Sequence, residues 1–103
     1  MLNQMILVGK IASELVLGKS EYNVSVTTLT LAIPRSNNNE DEECDTDFIP
    51  ITLYGVIAEE TVECCKKGDI VSVKGRLSCL EDKVRVVAEK INSLTNSSKI
   101  KAE

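Results

Sequence analysis

Thr46-Asp47-Phe48-Ile49-Pro50-Ile51-Thr52-Leu53-Tyr54-Gly55 decides the fold reading, because apolar side chains recur along it at the two-residue period of a β-strand. Successive side chains in a strand point to opposite faces, so Ile49, Ile51 and Leu53 share one face and Phe48, Pro50, Thr52 and Tyr54 the other. The aliphatic set is the core face. Phe48 and Tyr54 therefore stand on the more polar face, where a flat ring can stack on a planar ligand. The chain has two Tyr, one Phe and no Trp, so this one strand spends two of the three aromatic residues outside the core.

On the N-terminal side, Val24 to Ile33 is the longest β-rich stretch, with its aliphatic parity shifting from Val24 and Val26 to Leu29, Leu31 and Ile33 around Thr27-Thr28. A parity shift within one strand predicts a bulge or sharp coil there, as small closed barrels need. Met5-Ile6-Leu7-Val8 reads as a buried strand with a bulge or bend at Gly9, and Leu15-Val16-Leu17 as a short edge piece. Between Pro34 and Thr46 lies a long polar loop carrying Ser36-Asn37-Asn38-Asn39 and an acidic block.

On the C-terminal side, Val56 to Lys67 has helical spacing. Ile57, Ala58, Thr61, Val62 and Cys65 fall on one face and Glu59, Glu60 and Glu63 point outward. Lys66 and Lys67 are expected in the last turn, with Gly68 as the stop. Ile70 to Leu77 reads as a strand with Val71, Val73 and Leu77 inward and Ser72, Lys74 and Arg76 outward. Glu81-Asp82 makes a tight hairpin connection into Lys83 to Leu94, a last strand broken or bulged near Val86-Val87-Ala88. Residues 1–95 make one domain, and 96–103 a polar tail expected to be disordered.

The order is strand, strand, strand, helix, strand, strand. It predicts an all-β fold: a five-stranded, partly open Greek-key barrel of the oligonucleotide/oligosaccharide-binding type, with one helix between strands 3 and 4. The alternative architecture is an α+β sandwich in which the helix covers an open sheet.

The formal charge of −4 argues at first against a polyanionic partner, but its distribution matters more. Glu40, Asp41, Glu42, Glu43, Asp45 and Asp47 crowd into eight residues; without them the chain keeps twelve basic and ten acidic side chains, a net of +2. Such a block is usually a solvated loop. Cys44, Cys64, Cys65 and Cys79 form no Cys-x-x-Cys pair and there is no His, so the usual zinc spacings fail; no metal and no cofactor are expected, and the cysteines are read as reduced and structural. No apolar run approaches the roughly 20 residues that span a bilayer. Met1 to Lys10 has no basic region ahead of its apolar residues, which together gives a cytoplasmic expectation with no membrane partner.

Four collinear segments carry a resemblance: Met1-Leu2-Asn3-Gln4-Met5-Ile6-Leu7-Val8-Gly9-Lys10; Leu29-Thr30-Leu31-Ala32-Ile33-Pro34-Arg35; TDFIPITLYG with Ala58-Glu59 behind it; and KKGDIVSVKGRL from Lys66 to Leu77. In order and spacing they are similar to bacterial single-stranded DNA-binding proteins, nearly to Leu94. The resemblance implies an oligonucleotide-binding barrel without enzymatic activity that assembles into homo-oligomers, commonly tetramers, through its first strand. Phe48 and Tyr54 fall at family aromatic positions. The chain departs from the family in three places. The hairpin between the last two strands, usually a source of another aromatic, is cut to about Ser78 to Asp82; Asn37 stands near where some members carry Trp; and the glycine- and proline-rich linker with its acidic tip is missing. A short accessory or mobile-element variant is the expectation.

Single strands are held by base stacking on aromatics and by cations along the phosphates. The expected site is Phe48 and Tyr54 as platforms, with Lys10, Arg35, Lys74, Arg76 and Arg85 as phosphate contacts. Blander readings stand beside each. Phe48 can be half-buried under the long loop or in a subunit interface, and Tyr54 can close the barrel end. Lys74 and Arg76 can be ordinary solvated strand residues, Arg35 can pair with the acidic block, and Tyr22 is a packing or solvent residue. The leading function is sequence-tolerant binding of single-stranded DNA. The alternative is a protein-interaction and oligomerisation module with weak or no DNA binding; an enzyme is a distant third, for want of a nucleophile-and-base set. Dimer against tetramer, and DNA against RNA, stay open at this level.

Overall fold

The computed structural model describes residues 1–35 and 45–94; the expectations placed on Asn37, Cys44, Glu40 to Glu43, the domain boundary at 95 and the tail fall outside the described residues. The elements are β1 (Met5–Ile11), β2 (Gly18–Lys19), β3 (Ser25–Pro34), β4 (Thr46–Tyr54), α1 (Val56–Cys64), β5 (Ile70–Leu80) and β6 (Lys83–Ser93). β1 pairs antiparallel with β5, and β5 with β6. β6 runs parallel to β4 through Ile51↔Val86 and Thr52↔Val87. β4 pairs with β3 from Val26↔Tyr54 to Pro34↔Thr46, and β3 returns to β1 at Lys10↔Ala32 and Ile11↔Leu31. The five long strands thus close into a barrel of the oligonucleotide/oligosaccharide-binding type, with α1 between the third and fourth of them; β2 adds two residues to the edge of β3.

Closure gathers the inward aliphatics of every long strand. Ile11, Leu29, Leu31, Ile51, Leu53, Val71 and Val73 are fully buried, joined by Ala58 from α1 and by Val86 and Ala88 from β6. Each large aliphatic buried this way contributes about 1.5–3 kcal/mol, which is the main force holding the sheet closed. The expected helix face is the observed one: Ala58 and Thr61 are buried, Ile57 and Cys65 pack on the core, and Glu59, Glu60 and Glu63 are exposed.

Several local expectations are corrected. β3 has no bulge at Thr27-Thr28, because its register with β4 is unbroken. Ser25 and Thr27 occupy the inward odd positions in place of aliphatics and satisfy their hydroxyls there: Ser25 Oγ donates to the Glu59 carboxylate, and Thr27 Oγ1 donates to the Val16 carbonyl at 2.8 Å. Val24 is correspondingly exposed. Gly9 causes no register shift either. Its role is close approach: a Cβ there would lie 2.7 Å from the Ala32 carbonyl oxygen and from Ile33 Cγ1, where β1 crosses from β5 to β3. Leu15 to Leu17 is not a strand; the pairing falls on Gly18 and Lys19 instead.

The helix ends at Cys64, with Cys65 already extended at φ −122° and ψ 157°, so Lys66 and Lys67 lie outside its last turn. Asp69 pulls the chain away: its buried carboxylate accepts the Lys66 backbone N–H at 3.0 Å, and the Asp69 N–H donates to the Lys66 carbonyl at 3.1 Å. Gly68, at φ +99°, serves that four-residue turn rather than the helix stop.

Leu77 keeps the inward parity, opposite core Val86, but is 45% exposed rather than buried. The β1 ladder stops at Met5↔Gly75, and past it the Asn3 side chain reaches β5, accepting from the Leu77 N–H at 2.9 Å and donating to its carbonyl at 2.7 Å. Among the described residues no third strand covers the Leu77 side chain. The irregularity expected in the last strand is present: Lys74 pairs with Lys90 and Gly75 with Ala88, which leaves Glu89 as the extra residue. Glu81 and Asp82 both take positive φ, 55° and 65°, the conformation of a two-residue hairpin turn.

Candidate nucleic-acid interface

β4 presents its even positions outward, as its sequence alternation requires, and Phe48 is 63% and Tyr54 40% exposed. Neither ring belongs to the core cluster; the long loop, beneath which half-burial of Phe48 was the alternative, lies outside the described residues. Six residues of strand separate the rings by about 20 Å at the usual strand rise. They are two platforms, too far apart for one base.

Sheet register supplies each ring with cations. Lys10 pairs with Ala32, and Ala32 pairs with Phe48, so Lys10 and Phe48 stand in one outward row two strands apart. Neighbouring strands lie about 4.8 Å apart, which sets the row at about 10 Å. A second row runs Thr28–Thr52–Val87–Arg76 across β3, β4, β6 and β5. Arg85, two residues before Val87 and on the same side, reaches along the sheet and donates from Nη1 to Tyr54 Oη at 3.4 Å.

The remaining cations differ in how free they are. Arg76 Nε lies 3.3 Å from Glu89 Oε2, an exposed pair. Lys74 is exposed beside Ile6 of β1 and Lys90 of β6. Among the described residues neither Lys10, Lys74 nor Lys90 has an ion-pair partner. Lys90 was missed by sequence reasoning. The extra residue at Glu89 resets the parity of β6 and brings Lys90 to the outer face opposite Lys74; the break expected near Val86-Val87-Ala88 was the available signal.

Arg35 is placed differently. It continues the parity of Ile33, opposite to that of Ala32, and its guanidinium is held by Asp47: Nε donates to Oδ1 at 3.1 Å and to Oδ2 at 3.2 Å, and Nη2 to Oδ1 at 2.9 Å. Asp45 Oδ2 is 3.8 Å from Nη1, and the Arg35 backbone N–H donates to the Asp45 carbonyl at 2.8 Å. The hydrogen bonds and charge of Arg35 hold the Asp47 carboxyl below its ordinary pKa, and Asp47 in turn raises that of Arg35. The pairing with acidic residues named as an alternative in the sequence is thus present.

A cleft of about 290 Å³ between α1 and β6, lined by Glu60, Thr61, Cys64, Cys65 and Ile91 to Ser93, contains none of these residues. Among the described residues no three of Cys, Asp and Glu gather as a metal site, and no helix is long and apolar enough to cross a membrane. Tyr22 is exposed, in the turn between β2 and β3.

Residues 2–94 match the family described as "Single-strand binding protein family". Single-stranded DNA-binding protein B of Bacillus subtilis is 36% identical over 77 residues, 75% of this chain and 68% of that protein. The single-stranded DNA-binding protein of Caldanaerobacter subterraneus is 39% identical over 77 residues, covering 75% of this chain and 51% of that one. The wild-type single-stranded DNA-binding protein of Thermus aquaticus superposes with a TM-score of 0.78 at 25% identity, over 94% of this chain and 52% of that chain. The chain therefore spans about half the length of two of these three proteins.

Proposed function

The chain belongs to the single-strand binding protein family, and we propose that it binds single-stranded DNA without sequence preference and without catalysis. Phe48 and Tyr54 are the base-stacking platforms; Lys10, Lys74, Arg76, Arg85 and Lys90 are the phosphate contacts, and Arg35 joins them when Asp47 releases it. The observation that carries this reading is the outward row of Lys10 and Phe48, a cation and an exposed ring fixed by register on one face. Aromatic platforms take any base, because every base has a π-face, and each is worth about 1–3 kcal/mol. With two platforms, the footprint of one subunit is short.

Assembly is part of the same proposal. Among the described residues β1 has no partner on the side opposite β5 from Met5 to Gly9, and Ile6 and Val8 on its outer face are 66% and 50% exposed. An unpaired strand edge with exposed aliphatics invites pairing with another chain. A second copy joined through β1 covers that edge and extends the binding track from one subunit to the next. Action in the cytoplasm, on DNA strands exposed by replication, repair or recombination, follows from the family reading.

The test is fluorescence anisotropy with a labelled thymidine oligonucleotide at low and moderate salt. Binding at micromolar concentration or tighter, lost in the Phe48→Ala/Tyr54→Ala double variant, supports the reading. Absence of binding at low salt favours the protein-interaction module instead.

A further inference from the structure

We propose that Asp47 is an intramolecular competitor for Arg35, setting how many phosphates the β4 face engages by withholding one arginine from single-stranded nucleic acid. The inference rests on the single-strand reading above and adds a control on the same site.

The geometry supplies both halves of the competition. An arginine fork matches a carboxylate and a phosphate equally well, through paired N–H donors on one planar group. In the protein that fork is already filled by Asp47, with three hydrogen bonds of 2.9–3.2 Å. The pair is exposed, with 59% of the Arg35 side chain and 44% of the Asp47 side chain open to water. Exposed pairs contribute little net stability because water and salt compete for both partners, so an incoming phosphate can displace the carboxylate.

Position makes the displacement consequential. Asp47 is the residue before Phe48, and Arg35 lies three residues beyond Ala32, the cross-strand partner of Phe48. Arg35 thus sits about 10 Å along the strand from the Lys10–Ala32–Phe48 row, within one long side chain of a backbone passing that ring. The backbone bond from the Arg35 N–H to the Asp45 carbonyl continues the register one step past Pro34↔Thr46, so Arg35 leaves the strand on the side opposite Phe48 and its long side chain joins the Phe48 face by reaching round the end of the β3–β4 ladder. The neck of the β3–β4 connection does not depend on the ion pair, because the Arg35 N–H to Asp45 carbonyl bond of 2.8 Å and the Pro34↔Thr46 pairing hold it. Opening the pair costs no ladder contact.

The experiment is a double-mutant cycle on the full chain: wild type, Asp47→Asn, Arg35→Ala and the double variant, each titrated with a labelled thymidine oligonucleotide across a salt series. One further phosphate contact on a single strand steepens the slope of log K against log salt by about 0.7. Asp47→Asn is expected to tighten low-salt binding and steepen the slope by that amount when Arg35 is present, and to do neither in the Arg35→Ala background. Asp47→Ser is the second neutral variant and behaves alike; circular dichroism identifies any variant that fails to fold. An equal gain in both backgrounds means that Asp47 acts only as a distant negative charge, and an unchanged slope means that Asp47 withholds no phosphate contact. Either result overturns the inference. The single-strand reading fails with a different signature, wild-type protein that leaves the oligonucleotide unbound in low salt.

Discussion

Arg85 donates from Nη1 to the phenolic oxygen of Tyr54 at 3.4 Å, across an exposed face where β4 and β6 run parallel. The contact links one proposed platform to one proposed phosphate ligand and separates what the ring does from what the hydroxyl does. Tyr54→Ala removes the π-face and weakens oligonucleotide binding by about 5- to 150-fold, the equivalent of 1–3 kcal/mol. Tyr54→Phe keeps the ring and stays within a few-fold of wild type. Anisotropy titrations of the two variants under one salt condition check this ordering.

Lys74 and Lys90 face each other on the outer surface of β5 and β6 without a carboxylate partner among the described residues. Each replaced by Ala lowers the steepness of log K against log salt by about 0.7. Arg76 shares its charge with Glu89 at 3.3 Å, so Glu89→Gln tightens binding at low salt. A salt series on these three variants measures all of it.

Gly9→Ala destabilises the barrel. The added Cβ meets the Ala32 carbonyl oxygen and Ile33 Cγ1 at 2.7 Å, and a carbonyl in a paired strand cannot step aside. Overpacking of this kind costs about 1–3 kcal/mol, several degrees in melting temperature for a domain of this size. Gly18→Ala is the matched control, since the nearest atom to its Cβ would be the Val26 carbonyl oxygen at 3.8 Å. Thermal denaturation of both variants reads the difference.

Asp47 titrates below the ordinary carboxylate range because Arg35 hydrogen-bonds to and attracts its charged form. A depressed folded pKa means that the pair's stabilisation is present above the ordinary carboxylate pKa and is lost as pH falls through the lower folded value. Carboxyl-detected NMR follows the midpoint, which rises toward the ordinary range in Arg35→Ala.

Much of this was legible because strand alternation is a local property. The sides of Phe48, Ile49, Ile51, Leu53 and Tyr54 follow from a period of two, and so did the helix face of Ala58 and Thr61. What failed was long-range. Ser25 and Thr27 are inward because Glu59 and the Val16 carbonyl receive their hydroxyls, and partners 34 and 11 residues away leave no mark on β3 itself. Leu77 is exposed because β1 ends too early to cover it. α1 stops short because Asp69 binds the Lys66 N–H. Lys90 reached the outer face through one extra residue in a ladder, and Arg35 was reduced as a free cation by a carboxylate twelve residues on. The order of strands, the helix position and both rings needed no such information.

The central claim is that Phe48 is a platform on which bases stack, and the absence of tryptophan from the chain allows it to be tested directly. Phe48→Trp places a single indole at the platform, and Tyr22→Trp places one in the exposed β2–β3 turn, ten residues before Ala32, the cross-strand partner of Phe48. Titration with a thymidine oligonucleotide is expected to quench the Phe48→Trp emission saturably, in step with anisotropy, and to leave Tyr22→Trp emission unchanged. Binding seen by anisotropy with the Phe48→Trp emission unaltered would contradict the account.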